Sequence, residues 1–135
     1  MAFEYPLLSC QKGNDSHRLE SQELFAASIA VMAHGVNGDP LLTYANSAAL
    51  QLWCRQWDEM VGMPSRLTAP STERKKRATA LNSAIQSNAI KGYQGIRINS
   101  KGQLFMISNA RIWTLWDENE TVYGQAAAFS SWWLI

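Results

Sequence analysis

The last third of the sequence contains the pattern that most restricts the possible folds. The runs "GYQGIRIN", "QLFMISNARIWTLW" and "TVYGQAAAFSSWW" are rich in β-branched and aromatic residues, which predicts three β-strands. The short polar segments between them, residues 100–102 and 117–120, predict tight hairpin turns. The chain should therefore end in three consecutive antiparallel strands.

The middle strand of this group is apolar on both faces when its residues are assigned alternately to the two sides. A sheet exposed to water on one side would alternate between apolar and polar residues. We therefore expect short helices on one face, and the N-terminal helix or another subunit on the other. One predicted face carries Phe105, Ile107, Trp113 and Leu115, and the other carries Met106, Ala110, Ile112 and Trp116.

The earlier part of the chain predicts two more strands and several helices. "SIAVMAHG" and "LLTY" predict an antiparallel pair joined by the turn "NGDP". Asn46 is a suitable N-cap for a helix in "SAALQLW", and Gly62 should end a further helical turn. A longer helix, capped by Ser71 or Thr72, should extend to about residue 88, and residues 17–25 predict a short amphipathic helix.

This order of elements predicts one α+β domain over residues 17–135, preceded by a leader over residues 1–16. The domain should contain a five-stranded antiparallel sheet, with short helices inserted between strands 2 and 3 and a helix at its N-terminus. The two early strands should join the three late strands in one sheet.

Composition and motifs argue against several classes of function. The 135 residues carry a formal net charge of +1, which gives little long-range attraction to nucleic acid or to an anionic membrane. No apolar run approaches the roughly 18 residues of a membrane span, and the first residues do not resemble a signal peptide, so we expect a cytoplasmic protein. The two cysteines and two histidines are not spaced as metal ligands and should be free. No nucleophile elbow, phosphate-binding loop or pair of metal carboxylates is present, so we expect no catalytic residues and no enzyme.

Several separated motifs resemble the MEKHLA domain, a PAS-like module. They are "HGVNGDPLLTYANSAALQLW", "PSRLTA", "YQGIRINSKGQLFMI" and "GQAAAFSSW", and the resemblance covers roughly residues 26–133. The family includes small bacterial and cyanobacterial proteins and the C-termini of plant class III homeodomain–leucine zipper factors. The resemblance implies a PAS-like fold and a sensory or protein-interaction role.

Residues 39–85 also resemble the light-oxygen-voltage (LOV) flavin domains, which carry Asn-Cys-Arg-Phe-Leu-Gln where this chain has "PSRLTA". The resemblance places Ser65 at the flavin-attacking cysteine, and Arg66 at the arginine that meets the flavin phosphate. A serine hydroxyl cannot form the photoadduct of a cysteine thiolate. The likeness assigns the flavin-sensing glutamine position to Ala126, with Gln125 on the opposite face. It leaves open a non-covalently bound flavin, with the cofactor otherwise unknown.

Two arginines are candidate ligand contacts, each with an alternative role. Arg66 would clamp an anionic group, or would fix its loop by binding carbonyl groups left free at helix ends. Arg97, predicted to share a face with Tyr93 and Gly95, would contact a ligand if it faces inward and would be solvated if it faces outward. The interpretation favours the structural role for Arg66 and the outer face for Arg97.

The remaining candidates outline the cavity and the interface that the PAS resemblance implies. Small residues at Gly124, Ala126 and Ala128 leave room for a ligand or, preferably, for a closely packed helix. The C-terminal tryptophans should cover the outer face of the sheet, in the same chain or in a second subunit. The candidate ligand-binding residues are Asn46, Trp53, Ser65, Arg66, Arg97, Ser108 and Ala126, and the candidate interface residues are Trp113, Trp132 and Trp133.

The sequence therefore favours a sensory domain that binds a small molecule between helices and sheet, and signals through a homodimer or an unknown partner protein. An interaction module without a small ligand is the main alternative, and a non-covalent flavin-binding domain is the second. The first predicts a cavity among Trp53, Arg66, Ala126 and the central strand, whereas the interaction module predicts a filled core and an exposed apolar patch.

Overall fold

The computed structural model describes residues 22–135, and the predicted leader lies outside this range. The described chain forms one antiparallel sheet in the order β2-β1-β5-β4-β3, with β6 paired to β4. The predicted α+β class and the single sheet are confirmed. The strands are β1 (Ala30–His34), β2 (Leu42–Ala45), β3 (Ala89–Ile98), β4 (Leu104–Trp116), β5 (Val122–Phe129) and β6 (Ser131–Leu134).

The helices between β2 and β3 are short, as expected. They are α1 (Ser47–Trp53), α2 (Trp57–Met60) and α3 (Arg74–Ser87), with 3-10 turns at Ser65–Thr68 and Ser71–Glu73. Asn46 caps α1 as predicted, because its side chain accepts a hydrogen bond from the Ala49 backbone N–H. The predicted cap of α3 is wrong: Ser71 and Thr72 form a separate 3-10 turn, and α3 begins after Glu73 without a side-chain cap.

The C-terminal run that predicts one strand forms two. Ser130 interrupts it, so that β5 pairs with the second half of β4 and β6 pairs with the first half. The long β4 strand therefore has β3 along one edge and both β5 and β6 along the other. The sixth strand adds to the predicted five without changing the architecture.

A bulge in β4 exchanges the faces of its two halves. Asn109 has a positive φ of 54°, and the pairing of β3 with β4 is irregular opposite this point. Phe105 and Ile107 consequently belong to the core under the helices, whereas Trp113 and Leu115 belong to the outer core. The prediction that these four residues share one face is wrong, because it assumed strict alternation through the bulge.

Two hydrophobic cores result, one on each side of the sheet. The inner core lies under α1 and α2 and centres on Trp53, which is fully buried and packs edge-on against Phe105 and Phe129. The outer core contains Leu24, from the helical segment over residues 22–26. The expected helix on the outer face is therefore present in the same chain.

Candidate functional site

The candidate site is a cavity between α3 and the inner face of the sheet. It has a volume of about 40 Å³, room for a small group of atoms. A groove of about 530 Å³ borders it, running between α3, the loop after β1 and the 3-10 turn at Ser65–Thr68. Cavity and groove share four lining residues: His34, Arg77, Leu81 and Gln125.

Arg97 reaches the cavity from β3. Its side chain is buried, with the residue 5% exposed, so the favoured prediction of a solvated arginine on the outer face is wrong. It donates hydrogen bonds to the Tyr93 hydroxyl at 3.2 Å and to the Ile96 carbonyl at 2.9 Å. Its guanidinium carbon also lies 5.4 Å from the centre of the Tyr93 ring. The predicted common face of Arg97, Tyr93 and Gly95 is confirmed, because a Cβ on Gly95 would meet both side chains.

Arg77 reaches the same cavity from α3. Burial and the positive charge of Arg97 lower the pKa of Arg77 to about 10, against a smaller opposing effect of Tyr93. The Arg77 guanidinium therefore remains protonated at neutral pH. Two positive side chains face one small, partly apolar space.

His34 lines both the cavity and the groove, and it is 8% exposed. Its Nδ1 lies 2.6 Å from the Gly35 carbonyl oxygen, which fits a ring that donates from Nδ1. Its Nε2 is buried and has no hydrogen-bond partner among the described residues. Burial lowers the pKa of His34, and Arg77 lowers it further, although the Gly35 carbonyl raises it.

No acidic residue of the described chain lines the cavity. The groove contains one, Asp39, which lies 3.2 Å from Arg66 in an exposed ion pair. Neither role predicted for Arg66 matches this contact, which is with a carboxylate instead of with a ligand or a helix carbonyl. Arg74 and Lys75 add further positive charge to the groove.

Two hydrogen bonds from the sheet hold α3 over the cavity. Gln125 Nε2 donates to the Leu81 carbonyl at 2.8 Å, and Thr114 Oγ1 donates to the Ala84 carbonyl at 3.2 Å. Ala84 is also the one fully buried residue of α3. This helix thus has one fully buried residue and two hydrogen bonds from polar side chains of the sheet, of which Gln125 lines the cavity.

The candidate residues divide between this site and the core. Arg97 lines the cavity, and Ser65 and Arg66 line the groove, with Ser65 almost fully buried. Trp53 fills the inner core, and its Nε1 donates to the Thr68 carbonyl at 3.2 Å. The predicted cavity beside Trp53 is therefore occupied by the chain itself, and the open space lies farther along the sheet.

Asn46 has a structural role in place of the predicted ligand contact. Its side-chain nitrogen donates to the carbonyls of Leu24 and Ile29, at 3.1 and 2.7 Å. Its side-chain oxygen accepts from the backbone N–H groups of Val31 and Ala49, at 2.9 and 3.2 Å. This fully buried amide joins the N-terminal segment, β1 and α1.

Ser108 and Ala126 also differ from the prediction. Ser108 pairs with Ser131 of β6, and it does not line the cavity or the groove. Ala126 contributes to the cavity wall, but it pairs with Trp113 and belongs with Ala128 to the outer core. The small side chains of Ala126 and Ala128 therefore serve packing in the outer core. Gln125 lines the cavity on the inner face, opposite to the outer core, as predicted.

The three candidate interface tryptophans have different environments. Trp113 is 7% exposed and belongs to the outer core. The prediction that it contacts a second subunit is therefore wrong. Trp132 and Trp133 are 46% and 49% exposed on β6, and Leu134 and Ile135 beside them are more exposed still. Trp132 packs edge-on against Phe105 of the inner core, with ring centres 6.2 Å apart. The prediction that both C-terminal tryptophans cover the outer face is therefore wrong for Trp132, because it lies on the inner side of the sheet.

Five polar residues of the cavity were not among the predicted site residues: His34, Thr68, Arg77, Tyr93 and Gln125. Arg77 had a usable signal, because it lies four residues before Leu81 and therefore on the same face of α3. Its place in the charged run "ERKKR" concealed that position.

Comparison with known proteins agrees with this geometry. The family model described as the MEKHLA domain matches residues 2–134. The PAS domain of a Colwellia psychrerythraea protein superposes with a TM-score of 0.74 at 13% identity, covering 84% of this chain and 95% of that one. An RNA-binding light-oxygen-voltage receptor gives 0.70 at 19% identity, covering 82% of this chain and 31% of the receptor. The light-state dimer of the fungal photoreceptor Vivid gives 0.60 at 18% identity, covering 76% of each chain.

These likenesses establish the PAS fold. No curated protein matches the chain. Within residues 22–135, no three histidine, cysteine or carboxylate side chains are grouped to hold a metal ion. None of the helices in the same range has the length and apolar character of a membrane span.

Proposed function

The chain belongs to the MEKHLA domain family, and we propose that it is a PAS-type sensory domain that binds a small molecule between α3 and the sheet. The proposal assigns ligand binding and signalling to the protein, and no catalysis. The observation that carries it is the cavity with its bordering groove. Together they combine apolar walls with a few converging polar groups, as small-molecule sites do.

The weak attachment of α3 supports a mechanism by population shift. The helix has one buried residue, Ala84, and accepts two side-chain hydrogen bonds from the sheet, one of them from Gln125 at the cavity wall. A ligand that binds one position of α3 more tightly would shift the population toward that position. Segments with few buried apolar contacts are also those that open at low free-energy cost.

Signal output would use β6 and the C-terminal residues. Trp132, Trp133 and Leu134 expose large apolar side chains on a strand whose one described partner is β4, with Trp132 and Leu134 on one face and Trp133 on the other. Exposed aromatic patches of this kind are typical of protein interfaces. The proposed partner is a second copy or another signalling protein, and the solved dimer of Vivid shows that a protein of this fold can pair.

The test begins with protein purified from its native source and denatured, with mass spectrometry of the released small molecules. We expect one compound in near-stoichiometric amount. Hydrogen exchange of the apoprotein should then slow in α3, relative to β4, when that compound is added back. A released flavin, with its absorption in the visible spectrum, would favour the flavin-binding alternative. A protein that releases nothing and whose α3 exchange does not respond to metabolite extracts would contradict ligand sensing.

The exposed tail favours the interaction module as a second candidate function. In that case the signal is the presence of the partner, and the inner core is filled by the chain's own Trp53. Substitution of Trp133 by Ser would abolish partner binding, while substitution of Arg77 by Gln, at the cavity, would leave it unchanged. Loss of partner binding in both variants would favour sensing coupled to interaction.

A further inference from the structure

The chemical class of the ligand follows from the charges around the cavity, on the premise of the proposed function. We propose that the ligand is an organic carboxylate whose carboxyl group is held in the cavity by Arg77, Arg97 and His34, with its apolar body in the bordering groove. This assignment goes beyond the PAS fold, which does not itself determine a ligand.

The first argument is the burial of positive charge without a negative partner. A buried charge is costly unless it is paired and hydrogen-bonded. Arg97 is 5% exposed, and its two described hydrogen bonds use two of the five N–H groups of a guanidinium. No carboxylate of the described residues lines the cavity. A ligand carboxylate would supply the missing charge, and its two oxygens match the fork of a guanidinium.

The second argument is that two guanidinium groups share this space. Arg77 projects from α3 and Arg97 from β3, and each lines the same cavity of about 40 Å³. Burial and, to a smaller extent, the positive charge of Arg97 lower the pKa of Arg77 to about 10, so Arg77 stays protonated at neutral pH. An anion between the two guanidinium groups would replace their repulsion with two attractive interactions. A carboxylate of the ligand can supply that anion.

The third argument is the unsatisfied nitrogen of His34. Nε2 is buried, lacks a partner in the described chain, and belongs to a ring that lines both the cavity and the groove. With Nδ1 bonded to the Gly35 carbonyl, a proton on Nε2 would make the ring a donor to the ligand. Ligand binding should therefore be accompanied by uptake of a proton.

The other groups that face the site do not remove the coupling between ligand binding and proton uptake by His34. Tyr93 and Arg97 face it from β3, Arg77 from α3, and Gln125 from β5. In the groove, Arg66 and Asp39 neutralise each other, and Arg74 and Lys75 add positive charge. Burial and the positive charge of Arg77 oppose protonation of His34, and a bound anion would favour it.

Size determines which part of the ligand lies where. The cavity of about 40 Å³ accepts a group of a few atoms, comparable to one or two water molecules. The groove of about 530 Å³ falls in the range of small-molecule pockets, and its apolar walls include Val36, Leu81 and Ile85. A carboxyl group fits the cavity better than a phosphate with its four oxygens, and the groove suits an apolar chain or ring.

The test uses hexanoate, benzoate, the neutral amide hexanamide and inorganic phosphate as probes, with binding measured by calorimetry on the full chain. We expect the two carboxylates to bind, hexanamide not to bind, and phosphate to bind more weakly than either carboxylate. Arg77→Gln and Arg97→Gln should each weaken hexanoate binding roughly 10- to 100-fold, the effect of losing a charged hydrogen bond.

Matched control variants distinguish binding at this site from a nonspecific effect of the protein's positive charge. Lys76→Gln on α3 and Lys91→Gln on β3 remove the same charge from exposed positions that line neither the cavity nor the groove, and they should leave binding unchanged. If Arg97→Gln fails to fold, Arg77→Gln and Arg97→Lys test the same point. Binding of hexanoate should tighten from pH 8 to pH 6 in the wild type, and the His34→Gln variant should lose this dependence.

Equal binding of hexanoate and hexanamide, or equal affinity in Arg77→Gln and Lys76→Gln, would overturn the carboxylate assignment. A neutral compound released from the native protein, and bound equally by Arg77→Gln, would also overturn it while leaving the proposed sensory function intact. Failure of the sensory function would instead be recognised by the absence of any released compound together with unchanged hydrogen exchange in α3.

Discussion

The backbone of His34 occupies the position that a side chain on Gly124 would need. A Cβ built on Gly124 would lie 2.6 Å from the His34 carbonyl oxygen, closer than real Cβ contacts. We expect Gly124→Ala to force β1 and β5 apart beside the cavity and to destabilise the protein by about 1–3 kcal/mol, as overpacking does. Urea denaturation measures the change in the free energy of unfolding.

Gly35 provides the matched control, because it follows His34 directly and a Cβ there would meet nothing within 4 Å. We expect Gly35→Ala to change stability by less than about 0.5 kcal/mol. Equal stability of the two variants would show that β1 and β5 can separate at no cost at Gly124.

Asn46 should be one of the most sensitive polar residues. Asn46→Ala would remove hydrogen bonds to the backbone groups of Leu24, Ile29, Val31 and Ala49, of which the Leu24 carbonyl would keep its bond from the Ala27 N–H. We expect a loss of about 2–4 kcal/mol in the free energy of unfolding. Asn119→Ala, in the exposed turn before β5, should cost less than about 0.5 kcal/mol.

A ligand-binding role for Asn46 would give a different result from this structural one. Its variant would then lose affinity for the carboxylate probes at temperatures where it is fully folded. We expect its affinity, measured under folded conditions, to remain close to that of the wild type.

Acid should destabilise the empty protein partly through His34. Because burial lowers the pKa of His34 below its ordinary value of 6.5, the unfolded chain takes up a proton more readily than the folded chain. This contribution to stability is present above about pH 6.5 and is lost as the pH falls toward the lower folded pKa. Stability measured in the absence of ligand should fall less between pH 8 and pH 5.5 in His34→Gln than in the wild type. Parallel pH profiles would rule out this contribution.

The exposed end of β6 should control self-association. We expect the wild type to sediment as a dimer and Trp133→Ser to sediment as a monomer, because the variant removes a half-exposed aromatic side chain from the patch. The exposed Trp57→Ser, on α2 far from β6 in sequence, is the control and should remain dimeric. A wild type that is monomeric at every concentration would contradict the homodimer and leave a different partner protein as the reader of the signal.

The architecture could be predicted because its signals are local. The hairpin turns, the Asn46 cap and the apolar runs each depend on neighbouring residues, and together they specify the antiparallel sheet with its inserted helices. The family motifs supported the same order. The break at Ser130 was missed because the residues on both sides of it favour strand equally.

The site was harder to predict because it depends on which side of the sheet each residue faces. Asn109 adopts a left-handed conformation, for which a glycine would have been the usual sequence signal. The prediction of which face each β4 residue lies on was therefore wrong across that point. Arg97 was expected in solvent because an arginine facing inward from a strand needs an acidic or ligand partner. Its neighbour Arg77 comes from a helix that only the tertiary fold brings close. Charge runs are usually solvated, which concealed the one member of "ERKKR" that lines both the cavity and the groove.

The bulge at Asn109 makes the numbering of β4 a poor guide to homologous positions. Removing one residue there would turn the whole later half of the strand over, sending Trp113 and Leu115 beneath the helices and exchanging them with Ile112 and Thr114. In an alignment, a one-residue gap at this place therefore means that the side chains in the later half of β4 lie on opposite faces of the sheet in the two proteins. Relatives that differ in length at this place cannot be expected to present the same chemistry to whatever they bind.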